Sequence, residues 1–151
     1  MIVSRAGLDD LDPLVPLFAA YRVFYGQPDD HRKAREFLDA RIRNGESVIF
    51  LARVGGNTVG FTQLYPIFSS VGASRVWLLN DLYVEEDARR RGVATALLDA
   101  AREHGISTGA TSLTLQTTKD NASAQALYEC EGWIRQKDFY WYDLPLPERA
   151  S

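Results

Sequence analysis

Residues 47–84 read as three strand-forming runs joined by two turn signals, and the stretch that follows limits how those runs can be arranged. "SVIFLARV" and "TVGFTQLYPIF" flank Gly55-Gly56-Asn57, a glycine turn between β-branched and aromatic runs that specifies a hairpin. "FSSVGAS" is a second turn, and "RVWLLNDLYV" (75–84) is a third strand. A helix is expected from Gly92 to His104, with Val93, Leu97, Leu98 and Ala101 on one stripe, and then a buried strand in "TSLTLQTT" (111–118). The strand–helix–strand passage over 75–117 needs a right-handed crossover, which makes its two strands parallel. Antiparallel hairpins and a parallel pair in one chain imply a mixed sheet with helices on both faces.

The flanks fit this frame. Residues 1–5 read as a short strand. Leu11, Leu14, Val15, Leu17, Phe18, Tyr21 and Phe24 recur at helical spacing over 8–25, where Pro16 suggests a late start or a kink. Asp29 or Asp30 is placed to cap a second helix that runs to about Asn44, with Gly45 as its stop. "NASAQALYECEG" (121–132) is a short helix, and "WIRQKDFYWYDLPL" (133–146) reads as a closing pair of strands. One domain over 1–151 is expected.

Charge and cysteine usage narrow the function classes. A net charge of −3 argues against a polyanion binder, and Arg89-Arg90-Arg91 is too small a basic run for nucleic acid. The single Cys130 precludes an internal disulfide framework and fits a reducing compartment, so a cytoplasmic location is expected. No apolar leader opens the chain and no apolar run reaches the roughly 20 residues of a membrane span. His31, His104 and Cys130 lack metal-ligand spacing, so no metal is expected. His104, near a helix C-terminus, is most simply a dipole partner.

The most informative short stretch is "DARRRGVATALLDAAREHG" (87–105). A strand, a short loop, a glycine and a helix together aim unpaired first-turn amides at an anion, with the helix dipole adding positive character. Neither a P-loop nor G-x-G-x-x-G is present; the pattern is Arg89-x-x-Gly92-x-Ala94. Alone it is equally a solvated arginine run before a helix. Asn121, Tyr128 and Gly132-Trp133 lie downstream, and together these motifs resemble the GNAT superfamily of acetyl-CoA-dependent N-acetyltransferases. Ala94 in place of Gly and Trp133 in place of Phe are mild departures from its pattern.

The resemblance implies an α/β (α+β) fold: a mostly antiparallel mixed sheet with a splayed parallel strand pair. It implies that acetyl-CoA is the cosubstrate and that the loop Arg89, Arg90, Arg91, Gly92, Val93, Ala94 and Thr95 holds the pyrophosphate through backbone amides. By the same resemblance Leu82, Tyr83 and Val84 flank the acyl-pantetheine arm, with the amides of Leu82 and Val84 as donors. Asn121 would touch the cofactor as well as cap its helix, and Tyr128 would protonate the leaving thiolate. A homodimer is expected on the same ground.

Acetyl transfer to an amine also requires that the amine lose a proton, since an alkylammonium has a pKa near ~10.4. Asn80 stands where amine-acetylating relatives often carry Glu and would at most position a water. Asp81 and Glu85 are the nearest carboxylates, but strand alternation turns Asp81 away from the face of Asn80 unless a bulge re-aims it. The base therefore stays open among Asp81, Glu85 and a water relay.

The acceptor pocket implied by the resemblance lies between the first two helices and the hairpins. Tyr21, Phe24 and Tyr25 form a candidate aromatic wall, with Asp29 and Asp30 as attractors of a cation and Gln63, Tyr65 and Ser69 as further liners. Core packing of Phe24 and capping by the aspartates are the plainer roles. A small amine, polyamine, amino acid or lysine side chain is the expected acceptor. The alternative is a catalytically silent acyl-CoA sensor of the same fold.

Overall fold

The computed structural model describes residues 1–148. These divide into two compact units, the first spanning Met1–Gln116 and the second beginning at Thr117. The first unit holds a five-stranded sheet in the order β1-β2-β3-β4-β5, made of Ile2–Arg5, Val48–Val54, Asn57–Ser69, Ser74–Val84 and Ser112–Thr114. The first three pairings are antiparallel and β4 runs parallel to β5, as the crossover through helix α3 (Val93–Ser107) requires.

Two apolar clusters show that helices cover both faces. Helices α1 (Leu11–Phe24) and α2 (His31–Arg43) bury Leu14, Phe18, Ala34 and Leu38 against Ile49, Leu51 and Phe61. Helix α3 buries Val93 and Leu97 with Ala52, Val59 and Val84. Leu51 and Ala52 are successive on β2 and fall in opposite clusters, as the two-residue period of a strand dictates.

Pro16 neither delays nor breaks α1, which is preceded by a 3-10 turn at Leu8–Asp10 and runs unbroken from Leu11. The proline is exposed, so the carbonyl it leaves without an amide partner is on the wet side of the helix. Asp30, the cap of α2, accepts a hydrogen bond from Lys33 N at 3.0 Å.

Two expectations fail. β5 is only three residues long and partly exposed, not a buried strand over 111–118. In the second unit, helix α4 (Ala122–Cys130) forms as read, but residues 133–148 contain no strand. Their aromatic run has strand propensity, but propensity does not form a ladder without a partner strand. Phe139, Tyr140, Trp141 and Tyr142 are all exposed.

Candidate functional site

The register of β3 and β4 slips by one residue at the centre of the sheet. Gln63 pairs with Asp81 and the next residue, Leu64, pairs with Leu79, so Asn80 is the extra residue of a bulge. A bulge cancels the alternation that would otherwise send the Asn80 and Asp81 side chains to opposite faces. Both line one cavity of about 370 Å³. Phe18 and Phe37 stack on each other in its wall with centroids 5.6 Å apart, Tyr21 and Tyr65 add hydroxyls, and Arg22 and Lys33 supply positive charge.

Asp81 is buried, with 2% of its surface exposed, and its carboxylate accepts from two side-chain amides. Gln63 Nε2 donates to its Oδ2 at 2.6 Å and Asn80 Nδ2 to its Oδ1 at 2.6 Å. The Tyr21 hydroxyl donates to the Asn80 carbonyl oxygen at 3.3 Å and also faces the Asp81 carboxylate. Thr62 Oγ1 anchors the strand by donating to the Asp81 carbonyl oxygen at 2.8 Å. Burial pushes the Asp81 carboxyl above the usual carboxylate range, against the opposing pull of the hydrogen bonds from Asn80, Gln63 and Tyr21. Burial, reinforced by the negative charge of Asp81, likewise pushes the Tyr21 and Tyr65 phenols up, so both keep their protons. The arrangement is a buried carboxylate of raised pKa with amide and hydroxyl donors turned toward it.

The second feature is an unpaired backbone edge. The β4–β5 ladder ends at the pair Leu78 and Thr114, so β4 continues through Leu82, Tyr83 and Val84 with no β5 partner. Glu85 N donates to Val59 O at 2.8 Å on the β3 side. Strand alternation then turns the amides of Leu82 and Val84 toward the opposite, unpaired edge. Arg89 Nε reaches that edge and donates to Val84 O at 2.9 Å.

A tight loop links this edge to α3. Arg90 (φ +63°) and Gly92 (φ +79°) both lie in the left-handed region, a costly state for arginine. Gly92 caps α3 and has no side chain to offer, and the first helical bond runs from Ala96 N to Gly92 O at 3.0 Å. Val93, Ala94 and Thr95 therefore have no acceptor for their amides among the described residues. An anionic diphosphate fits such donors, and a pantetheine amide chain fits an open strand edge, so the first unit has the groups to hold a CoA ester.

Other residues singled out from sequence are placed as follows. Tyr25 is 54% exposed and packs edge-on against Tyr21 outside the cavity lining. Gln63 is fully buried and reaches the cavity only through Asp81, so it is a support of the site and not a liner. Phe24 is exposed; Asp29 pairs with His31 and Asp30 is spent as a cap, so neither aspartate lines the cavity. In the second unit, Asn121 caps α4 by accepting from Ala124 N at 3.2 Å, and Tyr128 on that helix packs against Trp133 with centroids 6.1 Å apart.

His104, in the last turn of α3, packs against Trp77 (4.7 Å) and Phe50 (5.8 Å), where burial lowers its pKa. Sequence reasoning missed Phe18, Arg22, Lys33 and Phe37. The first two were within reach, because Phe18, Tyr21 and Arg22 stand at helical spacings of three and four on one face of α1. Among the described residues no cluster of three or more His, Cys, Asp or Glu could hold a metal ion, and no helix is long and apolar enough to cross a membrane.

Residues 14–133 match the acetyltransferase (GNAT) family. An uncharacterized N-acetyltransferase of Bacillus subtilis, YhfO, is 44% identical over 149 residues, covering 99% of this chain and all of its own. The crystal structure of a probable acetyltransferase superposes with a TM-score of 0.93 at 43% identity, covering 99% of this chain and 100% of that one. An aminoglycoside N-acetyltransferase, AAC(6')-Iy, solved with CoA, superposes with a TM-score of 0.77 at 21% identity, covering 96% and 95% of the two chains; it speaks to the fold alone. The chain belongs to the acetyltransferase (GNAT) family and is an N-acetyltransferase.

Proposed function

We propose that this enzyme transfers an acetyl group from acetyl-CoA to a primary amine, and that Asp81 takes the amine proton. The observation that carries the reading is the bulge at Asn80, which brings a buried carboxylate of raised pKa to the wall of the cavity. Acetyl-CoA supplies the acyl group as a thioester. The unpaired amides of Leu82 and Val84 orient its arm and polarise the acyl oxygen, and those of Val93, Ala94 and Thr95, with the rim arginines Arg89, Arg90 and Arg91, hold the diphosphate.

An ammonium entering the cavity meets Asp81 as the one carboxylate of the lining. Its raised pKa narrows the gap between acceptor carboxylate and donor ammonium, which is what proton transfer requires. Tyr21 and Asn80 keep that carboxylate aimed, and Tyr65 stays a hydroxyl donor to the acceptor. Tyr128 retains the role read from its motif, donor of a proton to the departing thiolate, and Asn121 that of a cofactor contact.

Both units are taken as one catalytic domain, since the family match runs across their division at Gln116. A homodimer belongs to the same reading, supported by the exposed aromatic run at 139–142, and light scattering at twice the chain mass is the expected result. The direct test of the activity is an acceptor screen with acetyl-CoA, read as thiol release and confirmed by product mass. A primary amine gaining one acetyl group is expected. In Tyr128→Phe, slower turnover with unchanged acetyl-CoA affinity is expected; equal turnover removes Tyr128 from the acid role.

A further inference from the structure

We infer that the acceptor carries an anionic group, a carboxylate or a phosphate, at a distance from its amine, and that Arg22 and Lys33 bind it. This deepens the reading above and rests on it.

The cavity wall carries both signs of charge. Among the described residues Asp81 is its only lining carboxylate, while Arg22, from the last turn of α1, and Lys33, from the first turn of α2, are its two lining cations. Neither has an ion-pair partner among the described residues. Their solitude is specific, because the acidic groups around them are engaged. Asp29 faces His31 (3.3 Å), Asp30 caps α2, and Glu36 holds Arg32 (3.1 Å). Asp39 holds Arg43 (2.9 Å), Glu46 holds Arg41 (3.2 Å), and Asp12 pairs with Arg35. Arg41 adds to the same field, stacked over Phe37 at 4.6 Å and close enough to Tyr65 to oppose the rise of its pKa. Two unpaired cations facing one cavity leave an anion-binding site that the protein itself does not fill.

A second ammonium on the acceptor would meet like charge there, with no carboxylate left to neutralise it. The Phe18 and Phe37 rings of the same wall fit the methylenes that join an amine to an acid. The acceptor class is therefore a zwitterionic or amino-acid-like amine and not a polycation.

The test compares matched acceptors of three to six carbons with acetyl-CoA: ω-amino acids, ω-aminoalkylphosphonates, plain alkylamines and α,ω-diamines. At least a tenfold higher kcat/KM is expected for an acidic series than for the diamines, and which acidic series leads identifies carboxylate or phosphate. The paired substitutions Arg22→Met and Lys33→Met are expected to raise KM for the acidic acceptors at least tenfold more than for the alkylamines. Diamines acetylated as well as or better than the acids overturn the inference and leave the transferase intact. Calorimetric titration of the same compounds decides the charge preference without turnover. If no amine is acetylated, the reading beneath fails, while tighter binding of acids than of alkylamines still supports the anion-binding site and equal binding refutes it.

Discussion

At the scale of single residues, the proposed chemistry depends on Asp81 being buried and still lining the cavity. Its folded-state pKa lies above the ordinary carboxylate value, so the native state binds this proton more tightly than the unfolded chain does. Stability from that proton is complete below the unfolded pKa near ~3.9 and declines as pH rises toward the folded value. Asp81→Asn lacks this loss. Urea unfolding from pH 4.5 to 8 is expected to show the variant gaining on the wild type by at most about 1.4 kcal/mol per pH unit, then levelling once native Asp81 ionises. A constant difference across that range would contradict a raised pKa. His104 behaves with the opposite sense. Its pKa is depressed, so its contribution is present above about 6.5 and is lost as pH falls toward the folded value. Relative to His104→Leu, the wild type is expected to lose stability between pH 7 and 5 in the same unfolding measurement.

The residue scale is also where the sequence was least readable. Strand alternation separates Asn80 from Asp81, and only pairing with β3 creates the bulge that reunites them. The role of Gln63 was hidden for the same reason: a glutamine on a strand does not reveal that a carboxylate lies 2.6 Å away across the ladder. Arg22 and Lys33 belong to helix ends 11 residues apart in sequence, and no local pattern announces that both face one cavity.

At the scale of elements, the sequence was far more open. Gly55-Gly56 forms the turn of the hairpin it spells, Asp30 caps the helix it precedes, and α3 begins beside the glycine that its motif names. Those signals are local, which is why they survive folding unchanged. The closing strands did not, because a strand needs a partner that the strand's own sequence does not specify. Gly60 shows how tightly α3 is seated on the sheet: a Cβ there would lie 3.0 Å from Tyr83 O, 3.2 Å from Val93 Cγ1 and 3.3 Å from Leu97 Cδ1. One of these contacts is rigid backbone and the other two are buried side chains of α3, so in Gly60→Ala β4 or α3 has to give by a few tenths of an ångström. A loss of about 1–3 kcal/mol is expected in denaturant unfolding. Weaker acetyl-CoA binding is expected with it, since both elements carry amides proposed to hold the cofactor; undiminished affinity would separate the cradle from α3's seat.

At the scale of the whole molecule, one sheet serves two purposes along a single strand. β4 carries the bulge that presents Asp81 and, a few residues on, the unpaired edge that leads to the α3 loop. A family is recognisable in this chain because the loop and its glycine are written locally, whereas the cavity is lined by side chains gathered from α1, α2, β3 and β4. The account's central claim is that the Asp81 carboxylate removes the amine proton. Its most direct test is the pH profile of kcat/KM for a primary amine at saturating acetyl-CoA, measured for the wild type and for Asp81→Asn. The expected result is a wild-type profile that rises as one group ionises above the ordinary carboxylate range. In the variant the rate should be lower by roughly 10²–10⁴ and lack that rise, with acetyl-CoA affinity unchanged. A variant with wild-type rate and an identical profile would contradict the account.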